Sequence, residues 1–166
     1  MAAATEVSVE VVGYQPRLAE AFARLNRAWI ERYFEMEAED EKSLGDPEGY
    51  VINDGGEIFF TLVDGEPVGC VAMVPVGGGV FELAKMAVAA GQQGRGLGRL
   101  LMNACIRFAK ERGAREIYLV TNDVLTPAMG LYRSSGFIER RMTDVRYTRG
   151  NTEMRLQLGD DAAATL

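Results

Sequence analysis

The sequence predicts one α/β domain with a mixed β-sheet, and three observations support this prediction. The chain has 166 residues, 48% of them hydrophobic, which is enough to bury the core of one domain. Strand-like and helix-like stretches follow in the order β-α-α-β-β-β-α-β-α-β-β. No repeat, low-complexity block or linker interrupts that order. We therefore expect a single domain over residues 1–166, with 159–166 as a frayed tail.

The N-terminal half is expected to hold one strand, two helices and a hairpin. An alternating β-branched stretch predicts a strand over about Glu6–Val12. Pro16 suits a first helical turn, and apolar residues at helical spacing extend that helix to about Tyr33. Asp46-Pro47 predicts the start of a second, short helix. The turn Asp64-Gly65-Glu66 predicts a hairpin between the strands EIFFTLV and PVGCVAMVPV.

The C-terminal half is expected to hold four strands and two helices. VFELAKMAV is a strand, and a helix follows over about Leu97–Arg112. EIYLVTN is another strand, and Thr126-Pro127 begins a helix that Gly136 ends. The last two strands lie near Phe137–Met142 and Glu153–Leu158. The apolar face of the first of these helices is predicted to consist of Leu97, Leu100, Leu101, Ala104, Cys105 and Phe108.

Charge and composition exclude several classes of function. The net charge of −6 is contained in Glu31–Glu48, which has eight acids and two bases, so the remainder is neutral. A nucleic-acid binder needs a basic face, so we expect no nucleic-acid partner. The chain has no histidine. Ser-His-Asp and Cys-His catalysis are therefore excluded, and we expect no metal because the commonest zinc ligand is missing.

The cellular setting is also expected from composition. No apolar run approaches the roughly 18 residues of a membrane span, and the N-terminus lacks the features of a secretory signal. Cys70 and Cys105 each lie within apolar patterns, so we expect reduced thiols in the core. Together these features predict a cytoplasmic protein without a membrane partner.

Four glycines within Gly91–Gly98 need a physical reason, because glycine loses more backbone entropy on folding than other residues. A Walker A loop needs a lysine where Arg99 stands, and GRGLG does not match the dinucleotide fingerprint G-x-G-x-x-G. A glycine-rich turn before a helix can bind a pyrophosphate through backbone N–H groups, with Arg95 and Arg99 adding positive charge. The alternative is a tight turn with close helix packing, and spacing alone leaves both open.

The residues around these glycines resemble the GNAT superfamily of acetyl-CoA-dependent N-acetyltransferases. Gln93-Gly94-Arg95-Gly96-Leu97-Gly98 is similar to the family signature Q/R-x-x-G-x-G/A, and FELAKMAV to the strand before it. Downstream, YLVTNDVLTPAMGLYRSSGF resembles the segment with a recurrent asparagine, tyrosine and Gly-Phe pair. The resemblance covers about Glu57–Ile138. It implies a mixed, mostly antiparallel sheet flanked by helices, whose fourth and fifth strands splay apart to admit coenzyme A.

The same resemblance implies a binding site for acetyl-CoA. Backbone groups of the fourth strand would contact the pantetheine arm, and backbone N–H groups of the loop would hold the pyrophosphate. Asn122 would bind the pantetheine, or else serve only as a turn residue before the next helix. The implied cofactor-binding residues are Met86, Ala87, Val88, Gln93, Gly94, Arg95, Gly96, Leu97, Gly98, Arg99 and Asn122.

Two residues are implied to be catalytic. Tyr132 matches the tyrosine that lies near the thioester sulfur in the family, and a phenol can give a proton to a leaving thiolate. Its alternative role is aromatic packing on one helix face. Glu82, eleven residues before Gln93, matches a general base in some members. Alternation places it on the same face as Ala84, Met86 and Val88. Its alternative role is a structural acid paired with an arginine or with Lys85.

The expected reaction is direct attack of an amine on acetyl-CoA, with a backbone N–H of the fourth strand stabilising the oxyanion. The acceptor is a small molecule, peptide or protein, and homodimers are frequent in the family. The acidic run, with Glu35, Glu37 and Glu39, either steers a cationic acceptor or forms a solvated helix face. The competing function is a non-catalytic module that binds or senses acyl-CoA.

Overall fold

The computed structural model describes residues 7–140, 142 and 149–159, which form a seven-stranded sheet with helices on both faces. The strands are β1 (Val9–Val12), β2 (Glu57–Val63), β3 (Glu66–Gly77), β4 (Val80–Val88), β5 (Glu116–Thr121), β6 (Ile138–Arg140) and β7 (Thr152–Gln157). The α-helices are α1 (Ala19–Tyr33), α2 (Ala38–Gly45), α3 (Leu97–Glu111) and α4 (Thr126–Ser134). None of these helices is long and apolar enough to cross a membrane.

The sheet has the strand order β1-β2-β3-β4-β5-β7-β6, and its neighbours are antiparallel except β4 and β5. The predicted order of elements and the mixed, mostly antiparallel sheet are therefore confirmed. The parallel pair is short, because β4 meets β5 only from Val80 to Glu82. Beyond Glu82 the two strands separate, as the resemblance implies.

The hairpin between β2 and β3 also matches its prediction. Asp64 and Gly65 form its two-residue turn, and both have positive φ angles of 49° and 82°. That conformation matches the right-handed twist of the flanking strands, and an Asp-Gly pair adopts it at low cost. The turn therefore fixes the register in which Val63 faces Glu66.

Two hydrophobic clusters, one on each face of the sheet, make up the core. The cluster on the α3 and α4 face includes Met73, Leu83, Leu101, Phe108 and Met129. The cluster on the α1 and α2 face includes Phe22, Leu44, Phe60, Cys70 and Ala87. The sheet is thus covered on both sides, and any opening between its strands joins two faces.

A short helix does follow Asp46-Pro47, as predicted, but it is a single π-helical turn, and the α-helix of this segment, α2, was not predicted. Helix α2 lies in the acidic run, where Glu37 and Asp40 form a capping box. After α2 comes a single π-helical turn over Glu48–Ile52, and the Asp46 carboxylate accepts a hydrogen bond from Gly49 N at 3.0 Å. Asp46 therefore caps a turn as its residue type predicts, but the turn does not grow into an α-helix.

The predicted apolar face of α3 needs one correction. Leu100 is 38% exposed and Ala104 is half-buried, whereas Met102 and Ala109 are fully buried. The other predicted positions of that face are buried. The buried stripe is therefore turned about the helix axis towards Met102, because α3 packs across several strands at once.

Several predicted ends extend beyond what the structure shows. β1 begins at Val9, and Glu6 lies outside the described residues. β6 ends at Arg140 and β7 covers Thr152–Gln157. Most of the predicted frayed tail, 160–166, also lies outside the described residues.

A β-bulge in β4 changes which side chains share a face. Cys70 pairs with Ala87 and Ala72 with Ala84, so two residues of β4 oppose one residue of β3. Lys85, within the bulge, has a φ angle of 58°, which is uncommon for a residue with a side chain.

The bulge overturns the predicted alternation along β4. Met86 and Val88 pack against the cluster on the α3 side. Glu82 instead pairs with Val74, which packs against the cluster on the α1 side. Glu82 therefore does not share a face with Met86 and Val88, because the extra residue of the bulge reverses the phase of the strand.

Candidate active site

A cavity of about 610 Å³ opens where β4 and β5 separate. Residues of α3 and α4 line it from one face of the sheet, and residues of α1 line it from the other. Arg95 is the predicted site residue that does not line it. The predicted residues that do line it are Glu82, Met86, Ala87, Val88, Gln93, Gly94, Gly96, Leu97, Gly98, Arg99, Asn122 and Tyr132.

The glycines of the loop before α3 have two different physical roles. Gly94 and Gly96 have φ angles of 80° and 77°, and a Cβ at either would meet no atom within 4 Å. They are needed for backbone conformation, while the space beside them stays open. Gly98 is in the helix, where a Cβ would lie 3.2 Å from the Leu131 Cδ2 atom of α4. The loop therefore combines an open turn with close helix packing.

The start of α3 has the features of an anion-binding site. No side chain caps it, and its first turn contains no acidic residue. The N–H of Leu100 bonds to the carbonyl of Gly96 at 3.2 Å, while the preceding N–H groups lie where a helix supplies no carbonyl. Together with the helix dipole, these N–H groups fit the pyrophosphate of coenzyme A.

Arg95 in the loop and Arg99 in the first turn of α3 form hydrogen bonds with neutral side chains. Arg99 donates to the hydroxyl of Ser135 at 2.8 Å and also to that of Ser134, while Arg95 donates to Gln92. Within the described parts of the chain, neither arginine forms a salt bridge with an acid. Both charges therefore favour a bound anion, although only Arg99 lines the cavity.

The edge of β4 from Leu83 to Val88 faces the gap. In the described part of the sheet, β5 does not pair with this stretch. The Gln93 side chain approaches the carbonyl of Val88 with Nε2 at 3.5 Å. Such an edge can hold an extended ligand in the way a neighbouring strand would.

Asn122 forms two hydrogen bonds that stabilise the turn at the end of β5. Its side-chain amide donates to the carbonyl of Arg149 at 2.7 Å and accepts from Val124 N at 3.0 Å. These contacts are those of a turn residue, the alternative that the sequence left open. Asn122 also lines the cavity, so its contact with the pantetheine arm stays a prediction.

Tyr132 lies on the α3 and α4 face of the cavity. It is buried in α4, with its ring 6.1 Å from that of Phe137. Burial, with a smaller effect of the nearby Cys105, raises the pKa of Tyr132 to about 12. The phenol is therefore protonated at neutral pH, as a proton donor must be.

The two cysteines are free and fully buried, as predicted. Burial raises the pKa of Cys70 to about 12, and it raises the pKa of Cys105 as well. Both are therefore thiols rather than thiolates at neutral pH. A buried thiol is a poor nucleophile, so these cysteines do not act as acyl carriers.

Glu82 lies on the α1 face of the cavity, and only 2% of it is exposed. Its negative charge opposes the effect of burial, which lowers the pKa of Lys85. This interaction is of the kind that the alternative role, a structural pair with Lys85, requires. Its position in the cavity wall leaves the role of a general base open to experiment.

The sequence did not predict the ionic cluster of Asp40, Lys85 and Arg149. Lys85 Nζ lies 2.7 Å from Asp40 Oδ1, and the Arg149 guanidinium binds both carboxylate oxygens of Asp40 at 2.6 Å. Arg149 also donates to Glu37 at 2.9 Å. Lys85 and Arg149 line the cavity, and Asp40 is fully buried behind them.

The charges of this cluster stabilise each other. Burial alone would raise the pKa of Asp40, but hydrogen bonds from Arg149 and Lys85 hold it well below the usual range. Burial lowers the pKa of Lys85, and Asp40 opposes that effect. A lysine within an apolar strand was the one sequence signal, but its partner Asp40 lies 45 residues away.

The aromatic wall of the cavity was also missed. Trp29, Tyr33 and Phe34, at the C-terminal end of α1, all line the cavity. The sequence indicated a helix here but not that its last turn reaches the gap.

In the acidic run, Glu37 is bound to Arg149, which is not the environment of a freely solvated charge.

The fold matches solved acetyltransferase structures along almost the whole chain. An acetyltransferase of the GNAT family from Staphylococcus aureus superposes with a TM-score of 0.85 at 21% identity, covering 92% of this chain and 100% of that one. The protein yncA from Salmonella typhimurium, solved with its cofactor acetyl-CoA, superposes with a TM-score of 0.75 at 18% identity, covering 93% and 96%. At these identities the comparison establishes the fold.

Curated relatives match over shorter stretches. Mycothiol acetyltransferase of Acidothermus cellulolyticus is 33% identical over 68% of this chain and 36% of its own length. Streptothricin acetyltransferase of Streptomyces lavendulae is 46% identical over 34% of this chain and 30% of its own. An uncharacterized N-acetyltransferase of Schizosaccharomyces pombe is 39% identical over 44% and 45%. The chain thus spans less than half the length of these relatives.

A family model also matches the sequence. The Acetyltransferase (GNAT) family matches residues 20–137, which include α1 from its second residue, the loop before α3 and Tyr132. The resemblance first noted in the glycine-rich loop therefore extends well into the N-terminal half. Fold and sequence agree, and the chain belongs to the GNAT acetyltransferase family, whose members use acetyl-CoA.

Proposed function

We propose that this protein is an N-acetyltransferase that moves the acetyl group of acetyl-CoA to a primary amine of a small molecule, peptide or protein. One observation carries the proposal. The cavity between β4 and β5 has Tyr132 in its wall on one face of the sheet and Glu82 on the other. A proton donor and a candidate base thus border the same space.

The residues of the cavity fit acetyl-CoA. The uncapped start of α3 and the guanidinium of Arg99 suit the pyrophosphate, and the β4 edge at Met86–Val88 suits the pantetheine arm. Bound there, acetyl-CoA supplies an acetyl group activated as a thioester. The open backbone at Gly94 and Gly96 leaves room for the anion.

In the proposed reaction the acceptor amine arrives as an ammonium and gives one proton to Glu82, directly or through water. The neutral nitrogen then forms a bond with the acetyl carbon while the carbon–sulfur bond breaks. The nitrogen loses a second proton as the amide forms. The sulfur takes one proton from Tyr132, and the second proton of the nitrogen passes through water to restore the phenol. Glu82 gives its proton to solvent, so the net reaction releases one proton.

The state of Tyr132 supports this assignment. A pKa of about 12 keeps the phenol protonated throughout the physiological range. Its burial also lowers the local dielectric constant, which strengthens the interaction of the phenol with a thiolate forming beside it.

The experiment measures release of coenzyme A thiol with a panel of primary amines. We expect turnover by the wild type and a fall in kcat of about a hundredfold or more for Tyr132→Phe. Glu82→Gln should lower kcat/KM and change the acid side of the pH profile. Tyr14→Phe is the matched control, because the Tyr14 hydroxyl binds Glu48 outside the cavity.

The same experiment separates the competing function. Tight binding of acetyl-CoA by calorimetry without turnover of any amine would favour the sensing module. Turnover unaffected by Tyr132→Phe would instead leave an acetyltransferase whose proton donor is another group.

A further inference from the structure

The α1 face of the cavity has a distinct chemistry. Three aromatic residues line it from the end of α1, Trp29, Tyr33 and Phe34, together with Glu82 and Arg149. The loop and helices that suit acetyl-CoA lie on the opposite face. An acceptor that enters from the α1 face must therefore pass these aromatic rings.

The indole of Trp29 is fixed through its N–H group and its edge. Its Nε1 donates to Asn26 Oδ1 at 3.2 Å, and its ring meets that of Phe34 edge-on at 6.3 Å between centroids. Asn26 is fully buried and is itself held, since its amide donates to the carbonyl of Phe22 at 3.0 Å. The orientation of the indole is thus set by the interior of the protein.

The ionic cluster fixes the same indole from another side. The Arg149 guanidinium lies over the Trp29 ring, 5.8 Å from its centroid. Asp40 holds that guanidinium with two hydrogen bonds of 2.6 Å, and Glu37 adds a third at 2.9 Å. Asp40 therefore acts on the cavity wall through Arg149 and is a positioning residue.

We propose that the acceptor is an amine carrying an aromatic or similarly flat apolar group, and that Trp29 is the residue that selects it. The inference rests on the proposed function and names the substrate class of the same site. A fixed indole offers a large apolar surface at low entropic cost. The ammonium of such an amine would face Glu82, in the wall of the same cavity.

Trp29 also provides the test, because it is the single tryptophan of the chain. Its fluorescence is recorded with coenzyme A present while phenethylamine or propylamine is added. We expect saturable quenching by phenethylamine, with an apparent Kd at least about tenfold lower than for propylamine. This measurement needs no turnover.

Kinetics supply the second measurement. The ratio of kcat/KM for phenethylamine to that for propylamine should be about ten or more in the wild type. It should fall towards one in Trp29→Ala and be partly restored in Trp29→Phe. Asp40→Asn should lower the same ratio, whereas Glu41→Gln, which neutralises an exposed acid on the same helix, should leave it unchanged. Arg149→Lys tests the same link if Asp40→Asn does not fold.

The outcomes separate the two proposals. Coenzyme A release without any preference for phenethylamine, or a preference that survives Trp29→Ala, overturns the aromatic acceptor class and leaves the acetyltransferase intact. Saturable, selective quenching without turnover of any amine supports the aromatic site and overturns the acetyltransferase.

Discussion

The two faces of the cavity present different chemical groups. The side where we propose that acetyl-CoA binds, called the donor side, is the loop Gln93–Gly96 with the start of α3. It consists of backbone N–H groups and left-handed glycines. The side where we propose that the acceptor binds, called the acceptor side, is Trp29 with the cluster of Asp40, Lys85 and Arg149. It consists of side chains in buried ion pairs and ring contacts. One side depends on backbone conformation and the other on charge and aromatic packing.

The two sides should tolerate substitutions differently. A backbone site accepts most side chains provided that the φ angles are kept, so one local segment specifies it. The acceptor side joins α1, α2, β4 and the segment before β7, so each partner depends on the others. Substitutions on the donor side should therefore act locally, and those on the acceptor side should act as a unit.

The largest expected effect is on the acceptor side. Asp40→Asn removes the buried carboxylate charge that both Lys85 and Arg149 bind, and breaking such a buried pair costs about 3–5 kcal/mol. The free energy of unfolding is measured by urea titration. Glu41→Gln is the control: its partner Arg27 is exposed, so we expect little change. Equal losses in both variants would mean that the cluster is no more important than a surface pair.

The pH dependence should distinguish Asp40 from Tyr132. The pKa of Asp40 is held below its unfolded value, so its contribution to stability is full above about pH 4 and is lost as the pH falls further. The pKa of Tyr132 is raised from 10.0 to about 12, so its contribution is full below pH 10 and is lost as the pH rises to 12.

Unfolding curves recorded between pH 3 and 11 check both statements by difference. Asp40→Asn should remove part of the acid loss and Tyr132→Phe part of the alkaline loss. Unchanged pH profiles in these variants would contradict the assignments.

A smaller effect is expected on the donor side. Gly96→Ala places a β-carbon at a φ angle of 77°, which costs about 1–2 kcal/mol. If the loop moves to relieve that strain, the Kd for acetyl-CoA should rise by roughly tenfold. Gly91→Ala is the matched control, since Gly91 has no positive φ and a Cβ there meets no atom within 4 Å. Calorimetry with acetyl-CoA compares the two, and an equal Kd in both would show that the loop conformation is not what binds.

The smallest effect lies outside both sides of the cavity. Thr61 Oγ1 is buried in β2 and has no hydrogen-bond partner in the described structure. Thr61→Val removes an unsatisfied polar atom and keeps the shape, so we expect a gain of about 1 kcal/mol in unfolding free energy. Acetyl-CoA binding should be unchanged, and a loss of stability would show that the hydroxyl has a partner after all.

The donor side was predictable from sequence because its determinants are local. A strand, four glycines and an apolar helix stand next to each other in the chain, and all predicted loop residues except Arg95 line the cavity. The order of helices and strands followed from periodicity for the same reason. The exact buried stripe of α3 did not, since neighbouring strands decide it.

The acceptor side could not be predicted, because its contacts join distant residues. Arg149 lies 109 residues from Asp40, and no local pattern reports such a pair. The many acidic residues around α2 indicated a solvated helix face and did not indicate that the carboxylate of Asp40 is buried. The bulge at Lys85 defeated strict alternation along β4, which is why Glu82 was placed on the wrong face.

The short contact between β4 and β5 has a mechanical consequence. Three residue pairs join β4 to β5, and so join strands β1–β4 to strands β5–β7. On one face, the ion pair between Asp40 of α2 and Arg149, which precedes β7, connects the same two parts. A ligand bound along the unpaired edge of β4 would contact the strands on both sides of the gap and hold them together. Stability should then rise with acetyl-CoA concentration by mass action, and hydrogen exchange should slow most in the strands beside the gap.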